Sequence, residues 1–537
     1  AKLYRGIDPT YVEARLDSLL QAPRGDMFWM FPVTTLYFVG RDHMQFRSLE
    51  KLRDAWRTYM PYRGDTENHW LLYYATLYLM SEAYPDDGPD RWYTGKSSQE
   101  NMDEAWDYLQ EWGRITTTIG QGEYDSPHYL KVYLAPLALL YGFAEDQRIR
   151  QWAEIMLDYI VADFAVEHID GFYAGAHARL YEREVVQPVN APSSRSSYQF
   201  FGSVPFMPSG ESFILAVSGY RPPLILNDIA LDRSEPYTHL ERKRTRHRIR
   251  NTEVKNKIVY KTTRMRAEYA IGSSQGGLLQ PIQQQTWDLT WAVDGDPKGI
   301  HNTFFALHPY SSPREGTMYF GEQWEMVTEL IVRSKTEFAS PDKWTGGSAY
   351  EQVIQSDDAV VALYDIDPDA EYGHISAFFS KDLSETIERE SGWIIARGGD
   401  ALIAFYPLAP YEWRDEESGD RRFHSPHRKN GYVVQAAPAG DFESLEAFAE
   451  AVEALPLETA QEPTPSVSFQ TLAGEQIQFT YGETPVIAGT PVDYAGWPLY
   501  DGPFLEADVD SRRLLIKHGP QRRLLDLATL KITEWVE

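Results

Sequence analysis

The chain has 537 residues, 43% of them hydrophobic, which is enough for at least one large core and, by length, about two to four domains. A formal net charge of −28 disfavours nucleic acid and anionic membrane surfaces as partners, and no run of about 18 apolar residues is present to span a bilayer. The absence of cysteine excludes disulfides, thiol nucleophiles and thiolate metal sites.

Residues 1 to about 220 follow helical periodicity. Helices are predicted near 9–22, 27–38, 46–60, 67–83, 99–117, 127–144, 147–167 and 174–184. Leu71, Leu72, Tyr74, Ala75, Tyr78 and Leu79 share helical spacing, as do Trp152, Ile155, Met156, Tyr159, Ile160 and Phe164. Pro- and Gly-rich connections such as Tyr84-Pro85-Asp86-Asp87-Gly88-Pro89 separate them, suggesting helical hairpins set around an arc.

The segment Tyr220-Arg221-Pro222-Pro223 marks a boundary. Beyond it the period becomes that of strands, as in Ala359–Tyr364, and a hairpin is expected from Trp393–Arg397 and Ala401–Tyr406 around Gly398-Gly399-Asp400. Many short strands with turn signals imply an antiparallel β-sandwich. A helix is predicted at about 444–455, a linker at 458–465, and a last group of strands containing 514–517 and 522–525. The expectation is therefore α+β: a helical unit over 1–221, a β-sandwich over 222–460, and strands over 461–537 that complete or flank it.

Three polar clusters sit at the ends of aromatic helices. In the first, Thr66-Glu67-Asn68-His69-Trp70, an N-cap and first-turn acid account for Thr66 and Glu67, but Asn68 and His69 gain nothing from helix formation. In the second, Glu123-Tyr124-Asp125-Ser126-Pro127-His128-Tyr129, Asp125 reads as an N-cap before Pro127. His128 and Tyr129 then fall in the first turn, where the helix dipole favours a neutral imidazole fit to act as a base. In the third, Gly171 and Gly175 precede His177, Arg179, Tyr181 and Glu182, and His177 and Tyr181 share a face in helix or strand.

The β half adds Arg242, Arg244, Arg246, Arg248 and Arg250 at alternate positions. On one strand they would line one face, either as a solvated edge or as a track for carboxylates or sulfates. His301 and Tyr269 are weaker candidates. Aromatics make up 14% of the chain; most are expected to pack between helices, and some to stack on sugar rings. No phosphate-binding glycine loop, dinucleotide fingerprint or HExxH motif occurs.

A helical-hairpin unit followed by a β-sandwich, with Asn68-His69 at a helix mouth and Tyr173 or Tyr181 nearby, resembles the polysaccharide lyases with an α/α toroid, including the heparinase II/III-like and alginate lyase groups. The helical half is short for a full ring, so an incomplete toroid is expected. The resemblance implies β-elimination on a uronic-acid-containing polysaccharide. The catalytic candidates are Asn68, His69, His128, Tyr173, His177 and Tyr181. Asn68, with Arg179 or a β-domain arginine, would neutralise the carboxylate; one of the histidines would be the base, and Tyr181 or Tyr173 the base or acid. Glu67, Trp70, Tyr129, Arg179, Arg246 and Arg248 are the substrate-binding candidates. No cofactor is required, although a structural divalent cation in the β half is possible, and the partner is an acidic polysaccharide or oligosaccharide. Two alternatives stand beside this one. A glycoside hydrolase would use two of Glu67, Glu123, Asp125 and Glu182. A non-catalytic glycan-binding protein would use the aromatics and arginines alone. The chain opens at Ala1-Lys2, which a removed signal peptide or a trimmed terminus explains, and a secreted or periplasmic bacterial protein is expected.

Overall fold

The computed structural model describes residues 1–23, 26–58, 66–203, 210–244, 258–276, 283–310 and 339–537. Arg246, Arg248 and Arg250 lie outside them. The described helices run in chain order as α1 (Pro9–Leu19), α2 (Met27–Gly40), α3 (Phe46–Thr58), α4 (Glu67–Ala83), α5 (Ser98–Ile119), α6 (Leu130–Phe143), α7 (Gln147–Val166), α8 (Glu182–Val186), α9 (Pro192–Phe201), α10 (Gly210–Val217), α11 (Leu224–Leu231) and α12 (Leu445–Glu453). No described helix is long and apolar enough to cross a membrane.

Local chemistry sets several helix starts. Asp26 and Asp146 accept from the second residue of α2 and α7, and Ser97 with Glu100 forms a capping box on α5. Helix α4 is buried on nearly every side, which its aromatic sequence requires, and packs against α2, α5 and α6. The three-residue link between α6 and α7 makes them packed neighbours.

The expected helix at 174–184 does not form. Gly171 and Gly175 both take φ of +93°, and Arg179 sits at +60°, outside the right-handed helical region. Instead His177–Ala178 pairs antiparallel with Gln284–Gln285, and only the short α8 follows. Helix α6 also starts later than expected, at Leu130 rather than 127. Asp125 takes a left-handed φ of 47°, and its carboxylate is used elsewhere.

The β half is an antiparallel sandwich. One sheet has thirteen strands; at its centre lie Thr303–Leu307, Trp287–Trp291, Tyr269–Gly276, Ile258–Met265 and Tyr237–Arg244. The second has six strands, with Ala359–Asp365, Lys429–Pro438, Ala401–Pro407 and Ile394–Gly398 inside it. The predicted hairpin is present, with Ile394 opposite Phe405. Alternation along Ala359–Asp365 fixes its two faces. Val360, Ala362 and Tyr364 pack on Tyr269, Trp287 and Phe304 of the large sheet. Ala359, Val361 and Leu363 face the core shared with α12 and a five-stranded sheet.

The predicted linker is partly strand: Leu457–Ala460 pairs with Ser466–Gln470. The last strands leave that small sheet and join the large one through Tyr500–Asp501, which pairs with Tyr237–Arg244. Leu499, Tyr500, Leu514, Ile516 and Leu525 belong to the same core as the helices. The C-terminal strands thus close the seam between the helical half and the large sheet. The backbones meet closely there: a Cβ on Gly120 would lie 2.2 Å from the Arg242 carbonyl oxygen.

Candidate functional site

Two layers of polar residues meet at this seam. The inner one is a buried charge network. Strands Tyr237–Arg244 and Ile258–Met265 bring Lys243 and Lys261 toward the helices. The ammonium group of Lys243 lies 2.8 Å from Asp125, 2.6 Å from Asp163 and 2.8 Å from Glu241. Lys261 binds Asp125, Glu241 and, at 2.9 Å, Glu167. None of these side chains is more than 3% exposed, so the geometry must compensate a large desolvation cost.

Burial by itself would strip both lysines of their protons, but the surrounding carboxylates, Asp125 foremost, hold both well above the usual lysine range. Burial raises Asp163 and Glu167 well above ordinary carboxyl values, against the opposing pull of Lys243 and Lys261. Burial also pushes on Glu241, but Lys243 and Lys261 together hold it well below the usual range. Two sets in this network have metal-ligand spacing, Asp163–His239–Glu241 and Asp125–Glu167–Glu241, each with ligand atoms within 4.8 Å. The lysine ammonium groups already contact the carboxylates of both sets, so the chain itself supplies the positive charge such a set calls for.

Beside it lies a second buried group. Glu67 accepts from Trp112 Nε1 at 3.0 Å and from the Glu123 backbone at 2.9 Å, and pairs with Arg244. Glu123 accepts from the backbone and side-chain nitrogens of Asn68 at 3.0 and 2.7 Å, and pairs with Arg179 at 2.8 Å. Asn68 has no exposed surface. Arg244, one of the arginine row, is therefore an interior partner of Glu67, not part of a surface track. Trp70 is interior as well, stacked on Tyr108.

The outer layer reaches the surface. His128 just precedes α6 and Glu184 lies in α8; Nδ1 of His128 is 2.6 Å from Oε1 of Glu184, whose side chain is fully buried. Tyr181 packs edge-on to the His128 ring at 4.6 Å, and its hydroxyl lies 3.0 Å from that of Tyr129. Arg179 crosses the Tyr129 ring at 4.7 Å, linking this layer to Glu123. Arg183, 68% exposed, stands over Tyr181 at 5.6 Å and reaches Glu184 at 3.5 Å. With Nδ1 donating to the carboxylate, Nε2 of His128 carries the lone pair. The arrangement is a carboxylate-oriented imidazole flanked by two phenols and a cation, which suits proton abstraction with proton donation nearby.

The remaining candidates lie apart from this group. His69 bonds Thr66, stands 3.8 Å from Asp26 and packs on Phe28, bridging the starts of α2 and α4. Burial lowers His177 to about 4, and its Nδ1 bonds the Asp125 carbonyl at 2.7 Å, so it is a neutral interior residue. Tyr173 donates to Asp125 at 3.0 Å, and burial raises its phenol well above the usual range. His301 bonds Asp420 at 2.8 Å, and Tyr269 bonds Asp358. Glu184 and Arg183 were not among the sequence candidates. Glu184 does carry a signal: it occupies the third helical position after Tyr181, whose backbone N–H it accepts at 3.2 Å.

No protein-family model matches the chain, and no curated protein matches it.

Proposed function

We propose that the protein is a polysaccharide lyase acting on a uronic-acid-containing polysaccharide by β-elimination, with an incomplete α/α toroid as its helical half. The observation that carries this reading is the pairing of half-buried His128 with buried Glu184 beside the Tyr181–Tyr129 hydroxyl pair. His128 Nε2 removes the proton at C5 of the uronate. That C–H electron pair becomes the C4–C5 double bond as the C4–O bond breaks, and Tyr181 gives its proton to the leaving oxygen. Glu184 stabilises the imidazolium that forms. Arg183, exposed over Tyr181, takes the carboxylate-neutralising role first assigned to Asn68 and Arg179, both of which are committed to Glu123.

A hydrolase needs two carboxyls flanking the glycosidic bond. Glu67, Glu123 and Asp125 are buried and bonded, and Glu182 accepts from the Trp344 backbone at 3.1 Å, which weighs against that alternative. A purely binding role leaves the His128–Glu184 pair without a purpose. Incubation with a panel of uronate polysaccharides, followed by ultraviolet absorbance, tests the proposal. A rise marks the unsaturated uronate. New reducing ends without a rise would replace elimination with hydrolysis.

A further inference from the structure

A cavity of about 400 Å³ opens where the three larger sheets of the β half meet. Its walls come from Ile258–Met265 and Tyr269–Gly276 of the large sheet, the edge strand Glu351–Ser356 of the six-stranded sheet, and the turn at 482–485 of the five-stranded one. The turn is tied to the wall by the Gly482 N–H, which donates to Gln352 at 2.8 Å. This volume is in the range of small-ligand sites and suits a sugar residue.

The lining is specific in its chemistry. Tyr260 and Tyr494 provide two rings 4.7 Å apart, and Trp497 stacks behind Tyr494 with planes at 23°. Gln275, Gln284 and Gln352 bring amides, and Glu351 and Glu483 bring carboxyls. Among the described residues, no lysine, arginine or histidine lines the cavity. Glu351 accepts from Tyr364 at 2.6 Å and Thr286 at 3.0 Å, and so is held in place. Gln275 is only 5% exposed; its carbonyl oxygen takes the Tyr494 hydroxyl, and its amide nitrogen has no partner among the described residues. An unpaired buried amide donor carries a cost that a ligand acceptor removes.

We propose that this cavity is a binding site for a neutral, hydroxyl-rich sugar unit, separate from the His128–Tyr181 group. Amide and carboxyl groups pair with sugar hydroxyls, tyrosine rings pack on C–H faces, and the Glu351 and Glu483 carboxyls disfavour uronates. Gln283, next in sequence to the cavity residue Gln284, bonds Arg179, so one short segment borders both regions. The site does not depend on the elimination chemistry, and its test is separate.

The whole protein is titrated calorimetrically with neutral oligosaccharides of gluco, xylo, manno and galacto configuration, and with an oligouronate. One neutral class should bind, and Tyr494→Ala and Gln275→Leu should each weaken it at least about tenfold, roughly one decade in Kd. Tyr494→Phe, which removes only the hydroxyl held by Gln275, should weaken it with native circular dichroism retained. Elimination activity, if present in the wild type, should persist in the Tyr494 variants. Three results overturn the proposal: no neutral oligosaccharide binds at millimolar concentration, the oligouronate alone binds, or neutral binding is unchanged in folded Tyr494 variants.

Discussion

Nδ1 of His128 lies 2.6 Å from a Glu184 carboxylate that has no exposed side-chain surface, while the His128 side chain keeps 16% of its own exposed. The buried carboxylate orients a ring that keeps part of its own surface exposed. Glu184→Gln keeps an oxygen to accept from Nδ1 but removes the charge that stabilises the imidazolium. Turnover should fall by about 10²–10⁴-fold, the usual worth of a positioned acid–base group, with the pH–rate profile displaced. Wild-type turnover in a folded E184Q protein would falsify the assignment of His128 as base.

Tyr181→Phe removes one hydroxyl bonded at 3.0 Å to Tyr129. The loss of that bond should cost about 0.5–1.5 kcal/mol in urea unfolding. Turnover should fall far more than this stability change implies. A substrate with an activated aryl leaving group, which departs without protonation, should restore most of the rate. Equal losses on natural and activated substrates would remove Tyr181 from the role of acid.

The Arg183 side chain is exposed, lies over the Tyr181 ring and reaches Glu184 at 3.5 Å. Arg183→Ala should leave stability within about 0.5 kcal/mol of wild type. It should raise KM for the uronate polymer, and the effect should shrink as salt rises and screens the charge. An unchanged KM at low salt would place carboxylate recognition elsewhere.

The helices from α2 to α7 were legible because their periodicity and caps agree with their burial. His128, Tyr129 and Tyr181 were named from the sequence as polar groups close to helix ends, and the structure packs the three together. Glu184 was not, because it stood at the end of the helix expected over 174–184, and only the short α8 starting at Glu182 puts it in a first turn. Asp125 misled as well: Asp-Ser-Pro is a good helix start, yet its partners are Lys243 and Lys261, more than a hundred residues on. The segment 174–184 suited helix or strand by spacing, and the positive φ of Gly171 and Gly175 decided for the strand. Buried pairing across distant segments leaves no local trace, so the whole lysine–carboxylate network was invisible in the sequence.

That network makes a stability prediction. Lys243 holds three buried carboxyls. Lys243→Met removes one of the two cations of the network and leaves Lys261 alone among the buried carboxyls, so unfolding free energy should drop by about 3–5 kcal/mol. Adding Asp163→Leu should recover part of the loss, because an apolar pair of similar volume avoids the desolvation cost. A Lys243→Met protein within about 1 kcal/mol of wild type would mean that the network adds little, contrary to its burial.

Asp288 offers a cleaner titration. It is 3% exposed and accepts from the Gly175 N–H at 3.0 Å and from Thr290 at 2.9 Å. Burial pushes its carboxyl up from 3.8 to about 7, even with these donors. A folded-state pKa above the unfolded one means that the native protein binds the extra proton between those values. The stability that comes with it is complete below about pH 4 and is lost as pH rises through about 7. In Asp288→Asn nothing titrates at this position. The difference in unfolding free energy, wild type minus D288N, should therefore decline with rising pH across this window, at no more than about 1.4 kcal/mol per unit, and level off above it. Urea denaturation of both proteins at a series of pH values measures this difference directly. A flat difference, or one that grows with pH, would mean that Asp288 stays ionised in the folded protein and that the Gly175 and Thr290 donors outweigh its burial.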